Sequence, residues 1–166
     1  GMDAGVAFRA TLTAGAIQMV LSPLFGHLGD RYSRLPIMLA AALAMLVAVY
    51  PLYNWLVASP TAGTLLVVQS VFGFILTAYF SSQPAFMSDL FPARTRTTGL
   101  SLAYNIAVTI FGGFAPFIMT ALVAATGSKV APSYYVAFAA AISAVTLLYA
   151  ARQASTARAA AAATAG

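Results

Sequence analysis

The chain has 166 residues, of which 61% are hydrophobic and only 7% charged, and its mean hydropathy is +0.90. Soluble domains carry about a quarter charged residues, so this composition excludes a water-solvated surface and makes lipid the natural solvent. The net charge of +5 comes from eight scattered basic residues against three aspartates, without the basic stripe that nucleic acid needs, and the lack of cysteine excludes disulfides, thiolate metal sites and cysteine nucleophiles.

A hydrocarbon core of about 30 Å takes about 20 apolar helical residues to cross. Runs of that kind fall at 5–28, 36–57, 62–88, 97–125 and 132–151. They predict an all-α integral membrane protein of five transmembrane helices with no soluble domain. The first run is not a signal peptide, because Asp3 stands where basic residues belong and no small-residue cleavage site follows. Its Arg9 falls near one interface, where a long stem can snorkel. Thr11, Gln18 and Ser22 share one face at about 100° per residue. Asp30 to Pro36 separates it from the second run, which is poor in polar groups apart from Asn54 and carries Tyr53 and Trp55 as interfacial aromatics.

Ser59-Pro60 opens the third run, where Gln69, Gly73, Thr77 and Gln83 share a face beside Phe80 and Pro84. Phe91-Pro92 precedes the fourth, whose face carries Asn105, Thr109, Gly112 and Pro116, with Gly112-Gly113 suited to close helix packing. Gly127 to Pro132 leads to the fifth, with Ser143 and Thr146 its main polar groups. The alanine-rich stretch 154–166 is low-complexity and expected to fray.

Polar groups deep in hydrocarbon usually face protein or water. The Ser and Thr residues are expected to tie helices together, each such bond contributing about 0.6–2 kcal/mol. For Gln18, Gln69 and Asn105 a tie and contact with a solute are equally open. Sidedness follows from short-loop arginines. With alternating spans, Arg31, Arg34, Arg94, Arg96, Arg152 and Arg158 lie on one side and only Arg9 and Lys129 on the other. That places the N-terminus outside and the C-terminus in the cytoplasm.

The first cytoplasmic connection, Gly26 to Pro36, reads GHLGDRYSRLP. It resembles the G-x-L-x-D-R-x-G-R signature of major facilitator transporters at Gly26, Leu28, Asp30, Arg31 and Arg34. Ser33 stands for the usual glycine and Leu35 for the usual second basic residue. In the third connection Asp89 and Arg96 are six residues apart, similar to the acid-x6-Arg motif between helices ten and eleven. Asp89 at a helix C-terminus opposes the helix dipole, so a nearby cation is favourable. The stretch Thr97 to Thr120, TTGLSLAYNIAVTIFGGFAPFIMT, resembles helix eleven of the metabolite–proton symporters, above all the citrate and tricarballylate carriers. Gly127 to Ala140 resembles their loop into helix twelve.

On this resemblance the five spans are helices eight to twelve, most of the C-terminal half of a major facilitator fold in a bacterial inner membrane. Helices one to seven form a missing partner. The resemblance implies alternating access around a midplane site, with helices eight, ten and eleven toward the cavity and nine and twelve toward lipid. It implies a small polar metabolite moved with protons, a carboxylate such as citrate, and no cofactor or metal. Candidate substrate contacts are Gln18, Gln69, Asn105, Gln83 and Tyr79, the last also suited to helix packing. Asp30, Arg31, Arg34, Asp89 and Arg96 form a candidate gating ion-pair network, with plain positive-inside anchoring as the other reading. His27, outside the midplane, is read as structural. No acid lies inside a span, so the proton-coupling carboxylate is expected in the missing part. Other readings are a betaine- or proline-type osmolyte symporter and a scaffold or accessory subunit without transport. An enzyme is excluded by the lack of a nucleophile–base set, metal cluster or phosphate loop.

Overall fold

The computed structural model describes residues 4–165, apart from the side chains of residues 4, 154 and 157–165. The expectations for Asp3, for Gly166 and for the Arg158 side chain lie outside these. A backbone in hydrocarbon must pair its own N–H and C=O groups, and every described element is helical. Helix α1 is Ala4–Tyr32, α2 Arg34–Ala58, α3 Ala62–Phe80, α4 Gln83–Asp89, α5 Arg96–Ala107, α6 Ala115–Thr126 and α7 Pro132–Ala165, with a π-helical segment, Val108–Gly113, between α5 and α6.

Among the described residues, four helical stretches are long and apolar enough to cross a membrane: Arg34–Ala58, Ala62–Asp89, Arg96–Thr126 and Pro132–Gln153. The first expected span is helical over 29 residues, long enough to cross. Arg9, Gln18, His27, Asp30 and Arg31 leave it less apolar than the other four. The stretch expected to fray is also different: the backbone of α7 stays helical to Ala165. Alanine is the best helix former, and low complexity of this kind continues a helix.

Two of the expected spans are interrupted. A turn at Ser81-Ser82 separates α3 from α4. Pro84 follows at the start of α4, where a missing N–H costs nothing. The second interruption is the π segment. In α register the Pro116 ring would clash with the Gly112 carbonyl four residues back, and widening to π geometry before Ala115 moves that carbonyl away. Gly127 closes α6 with a left-handed φ of 67°, the usual helix stop.

Packing places α1 along α3, and α2 between α3 and α7. Ala41, Met45 and Val49 of α2 meet Ile75 and Ala78 of α3 and Ala140 of α7, while Met38 and Ala42 meet Ala144 and Leu147 of α7. Helix α2, expected to face lipid, therefore has two faces: these buried residues on one and the exposed Leu43, Val47 and Tyr50 on the other. Lipid tails are as apolar as leucine, so the gain here is close packing rather than escape from water. Small residues make it possible. A Cβ on Gly73 would lie 3.3 Å from the Ala14 carbonyl oxygen of α1, and one on Gly29 would lie 2.6 Å from the Ser82 Oγ.

Among the described residues one non-glycine backbone position is strained. Ser33, between α1 and α2, has φ 112° and ψ 137°, a conformation that glycine adopts freely and other residues do not. This is the position where the resembling signature carries glycine. Ser33→Gly is expected to stabilise the protein by about 1 kcal/mol or more, read as a higher midpoint of thermal unfolding in detergent. An unchanged or lower midpoint contradicts strain at Ser33.

Candidate functional site

The charged residues meet where α1 ends, α2 begins and α4 ends. The Arg34 guanidinium donates one N–H to Asp30 Oδ1 at 2.8 Å and another to Asp89 Oδ2, also at 2.8 Å. Asp30 and Asp89 sit near helix C-termini, where the dipole disfavours a carboxylate, and one planar guanidinium serves both. Arginine suits this task because its donors are fixed in a fork, which lysine lacks. The Arg34 side chain is 32% exposed and the two carboxylates 67% and 62%, so salt weakens the bridge.

Of the five residues expected in this network, the structure brings together three. Arg31 instead lies over the ring of Tyr32, 5.5 Å from its centroid. Arg96, the expected partner of Asp89, turns its Nε–H to the Phe91 carbonyl at 3.4 Å. Asp89 pairs across 55 residues with Arg34 rather than across its own connection. Beside this bridge the Ser82 hydroxyl is buried and, among the described residues, has no hydrogen-bond partner. It faces Gly29, whose missing side chain admits the approach of α1 to the α3–α4 turn.

The polar stripes are distributed unevenly. An open groove of about 370 Å³ runs between α1 and α3, lined by Gly15, Gln18, Met19, Ser22, Leu76, Thr77, Phe80 and Ser81. It takes in Gln18 but none of the other four expected substrate contacts. Asn105 lines a separate depression of about 320 Å³ with Ile106, Thr109 and Ile110, and donates to the Ser101 carbonyl of its own helix at 2.7 Å. Gln69 is half-buried in α3. Gln83 lies beyond the Ser81-Ser82 turn, which breaks its helical phase with Gln69 and Thr77, and its amide contacts the Met87 sulfur at 3.7 Å. The Tyr79 hydroxyl is 2.6 Å from Ser143 Oγ and joins α3 to α7.

Most hydroxyls do not tie helices together as expected. Thr11, Thr13, Thr77, Thr120, Thr126 and Thr146 each donate to the carbonyl four residues back in their own helix. The groove residues Gly15, Met19 and Ser81 had no signal of their own in the sequence. Their grouping depends on which face of α1 meets α3, fixed by the Ala14–Gly73 contact. Among the described residues no group of three or more histidines or acids is placed to hold a metal.

A family model described as the Major Facilitator Superfamily matches residues 3–165. The chain is 33% identical over 130 residues to a citrate-proton symporter of Salmonella typhi, covering 78% of this chain and 30% of that protein. It is 33% identical over 139 residues to a citrate-proton symporter of Klebsiella pneumoniae, covering 84% and 31%. It is 30% identical over 149 residues to the ectoine/proline transporter ProP of Corynebacterium glutamicum, covering 90% and 29%. The chain thus spans about three tenths of the length of the curated relatives it matches. No solved structure matches it significantly.

The two-carboxylate bridge gives a direct test. Spin labels at Tyr32 and Leu90 are expected to move apart, or to spread in distance, when either Arg34→Asp or Asp89→Arg is made alone. The double exchange restores one arginine facing two carboxylates and should recover the original distance. Equal distances in all four proteins contradict the bridge.

Proposed function

Because the chain belongs to the Major Facilitator Superfamily, we propose that it is the C-terminal portion of a proton-coupled secondary transporter that moves a small polar carboxylate such as citrate by alternating access. The observation that carries this reading is the 33% identity to two citrate-proton symporters over most of the chain. In this reading helices one to seven are supplied by the remainder of the protein. The five long helical stretches cross a bacterial inner membrane with the arginine-bearing connections in the cytoplasm.

The site residues take distinct parts. Gln18 and Ser22 offer neutral hydrogen-bonding groups to a solute in the α1–α3 groove, and Asn105 offers another from its own depression. Tyr79 supports the α3–α7 contact and acts on the solute only through it. Asp30, Arg34 and Asp89 hold three helix ends together on the cytoplasmic side in one state of the cycle. Arg31 and Arg96 anchor that side. Both described aspartates are engaged with Arg34 at helix ends, away from the middle of the long stretches, and the proton is carried by a group elsewhere in the complete protein.

A second reading has its own support. The ectoine/proline transporter aligns with 90% of the chain, and the α1–α3 groove contains no cation to meet a polycarboxylate. A zwitterionic osmolyte suits such a neutral groove.

Proteoliposomes separate these readings. The chain is assembled with the N-terminal part of a citrate-proton symporter, and uptake of labelled citrate and labelled proline is measured under an inward proton gradient. Citrate uptake abolished by a protonophore is expected, with none from the chain alone. Proline uptake without citrate uptake favours the osmolyte reading. Transport by the chain alone contradicts its being a portion of a carrier.

A further inference from the structure

The rod formed by α5, the π segment and α6 differs from the other long helices in having no buried residue along its length. Within the described residues it meets the other helices mainly through α4 at one end and α7 at the other. Midway lies the π segment, and there the ladder has a gap. In π register a carbonyl accepts from the N–H five residues on, as Thr109 does from Phe114 at 3.3 Å. For Phe111 that residue is Pro116, which has no N–H. A carbonyl without a donor is costly in hydrocarbon. The Tyr135 hydroxyl, projecting from the first turn of α7, donates to the Phe111 carbonyl at 2.8 Å.

We propose that Tyr135 is a positioning residue, the latch of a hinge at Val108–Gly113 that fixes how the α5 half, with Asn105 and Thr109, is set against the α6 half. Three features act together. Pro116 creates the gap, Gly112 and Gly113 leave the backbone there free to bend, and one hydroxyl from the neighbouring helix closes it. Among the described residues this bond joins the segment to a neighbouring helix and restrains the angle between its halves. The Tyr135 ring alone cannot replace it, since only the hydroxyl reaches the carbonyl. The latch does not depend on which solute is carried.

Tyr135→Phe removes the hydroxyl and keeps the ring, and Tyr134→Phe is the matched control, its ring stacking on Tyr50 at 6.1 Å. In lipid nanodiscs, hydrogen–deuterium exchange across residues 108–117 is expected to rise roughly two- to tenfold in Tyr135→Phe and not in Tyr134→Phe. Pro116→Ala restores an N–H within the helix. In that background Tyr135→Phe should change the exchange little, and should recover helicity if the single variant loses it. Unchanged exchange in Tyr135→Phe overturns the latch. So does an equal rise in Tyr134→Phe, or a Tyr135→Phe effect that persists undiminished beside Pro116→Ala.

Discussion

In hydrocarbon each peptide group that is not paired along its own helix must find a partner in another part of the protein, since no water is there to take its place. That constraint explains the long helices and, more sharply, the places where they stop being regular. Ser81-Ser82 interrupts α3–α4, and the ladder resumes at once through Ser81 N–H to Thr77 and Phe86 N–H to Ser82. The π segment interrupts α5–α6, and the carbonyl it leaves over is taken by Tyr135. Threonines within the long helices bond to the preceding turn rather than asking for a partner across an interface. Most of the hydroxyls are thus satisfied within their own helix, and helix contacts rest mainly on apolar packing with small residues at the close approaches.

Most of the charged groups lie at helix ends or in connections for the same reason. Arg34 gathers two carboxylates at the ends of the helices, at one edge of the helical layers, while Arg9 is exposed near the other end of α1. The ends of α1, α2 and α4 are held by a single side chain whose strength depends on salt and water. The interior of the α1–α3 pair rests on Gly73 against Ala14, which does not. The surface bridge can therefore open without disturbing the packed seam.

Much of the helical layout was legible in the sequence because it follows from long apolar runs and their proline and glycine breaks. The kinks were less so. Pro84 and Pro116 could be seen, but whether each ends, bends or widens a helix depends on what the neighbouring turn can do with the freed carbonyl. The sequence likewise marked Asp30, Arg31, Arg34, Asp89 and Arg96 as a group, and the motif resemblance paired Asp89 with Arg96. Which arginine reaches Asp89 depends on how the start of α2 sits against the end of α4, which is a matter of packing. The α1–α3 groove was legible only as two separate stripes, Gln18 and Ser22 on the first run and Thr77 beside Phe80 on the third, because nothing in the chain says that these two faces meet.

The sidedness and number of crossings are what the reading of this chain as most of a transporter half depends on. The absence of cysteine makes them directly measurable by single-cysteine labelling in intact cells with a membrane-impermeant maleimide. Cysteines placed at Ser59 and Ser128 should label from outside, and those at Ser33 and Ala93 only after the cells are permeabilised. Labelling of Ser33 or Ala93 from outside, or of Ser59 and Ser128 on opposite sides, would contradict an alternating bundle with its arginines in the cytoplasm.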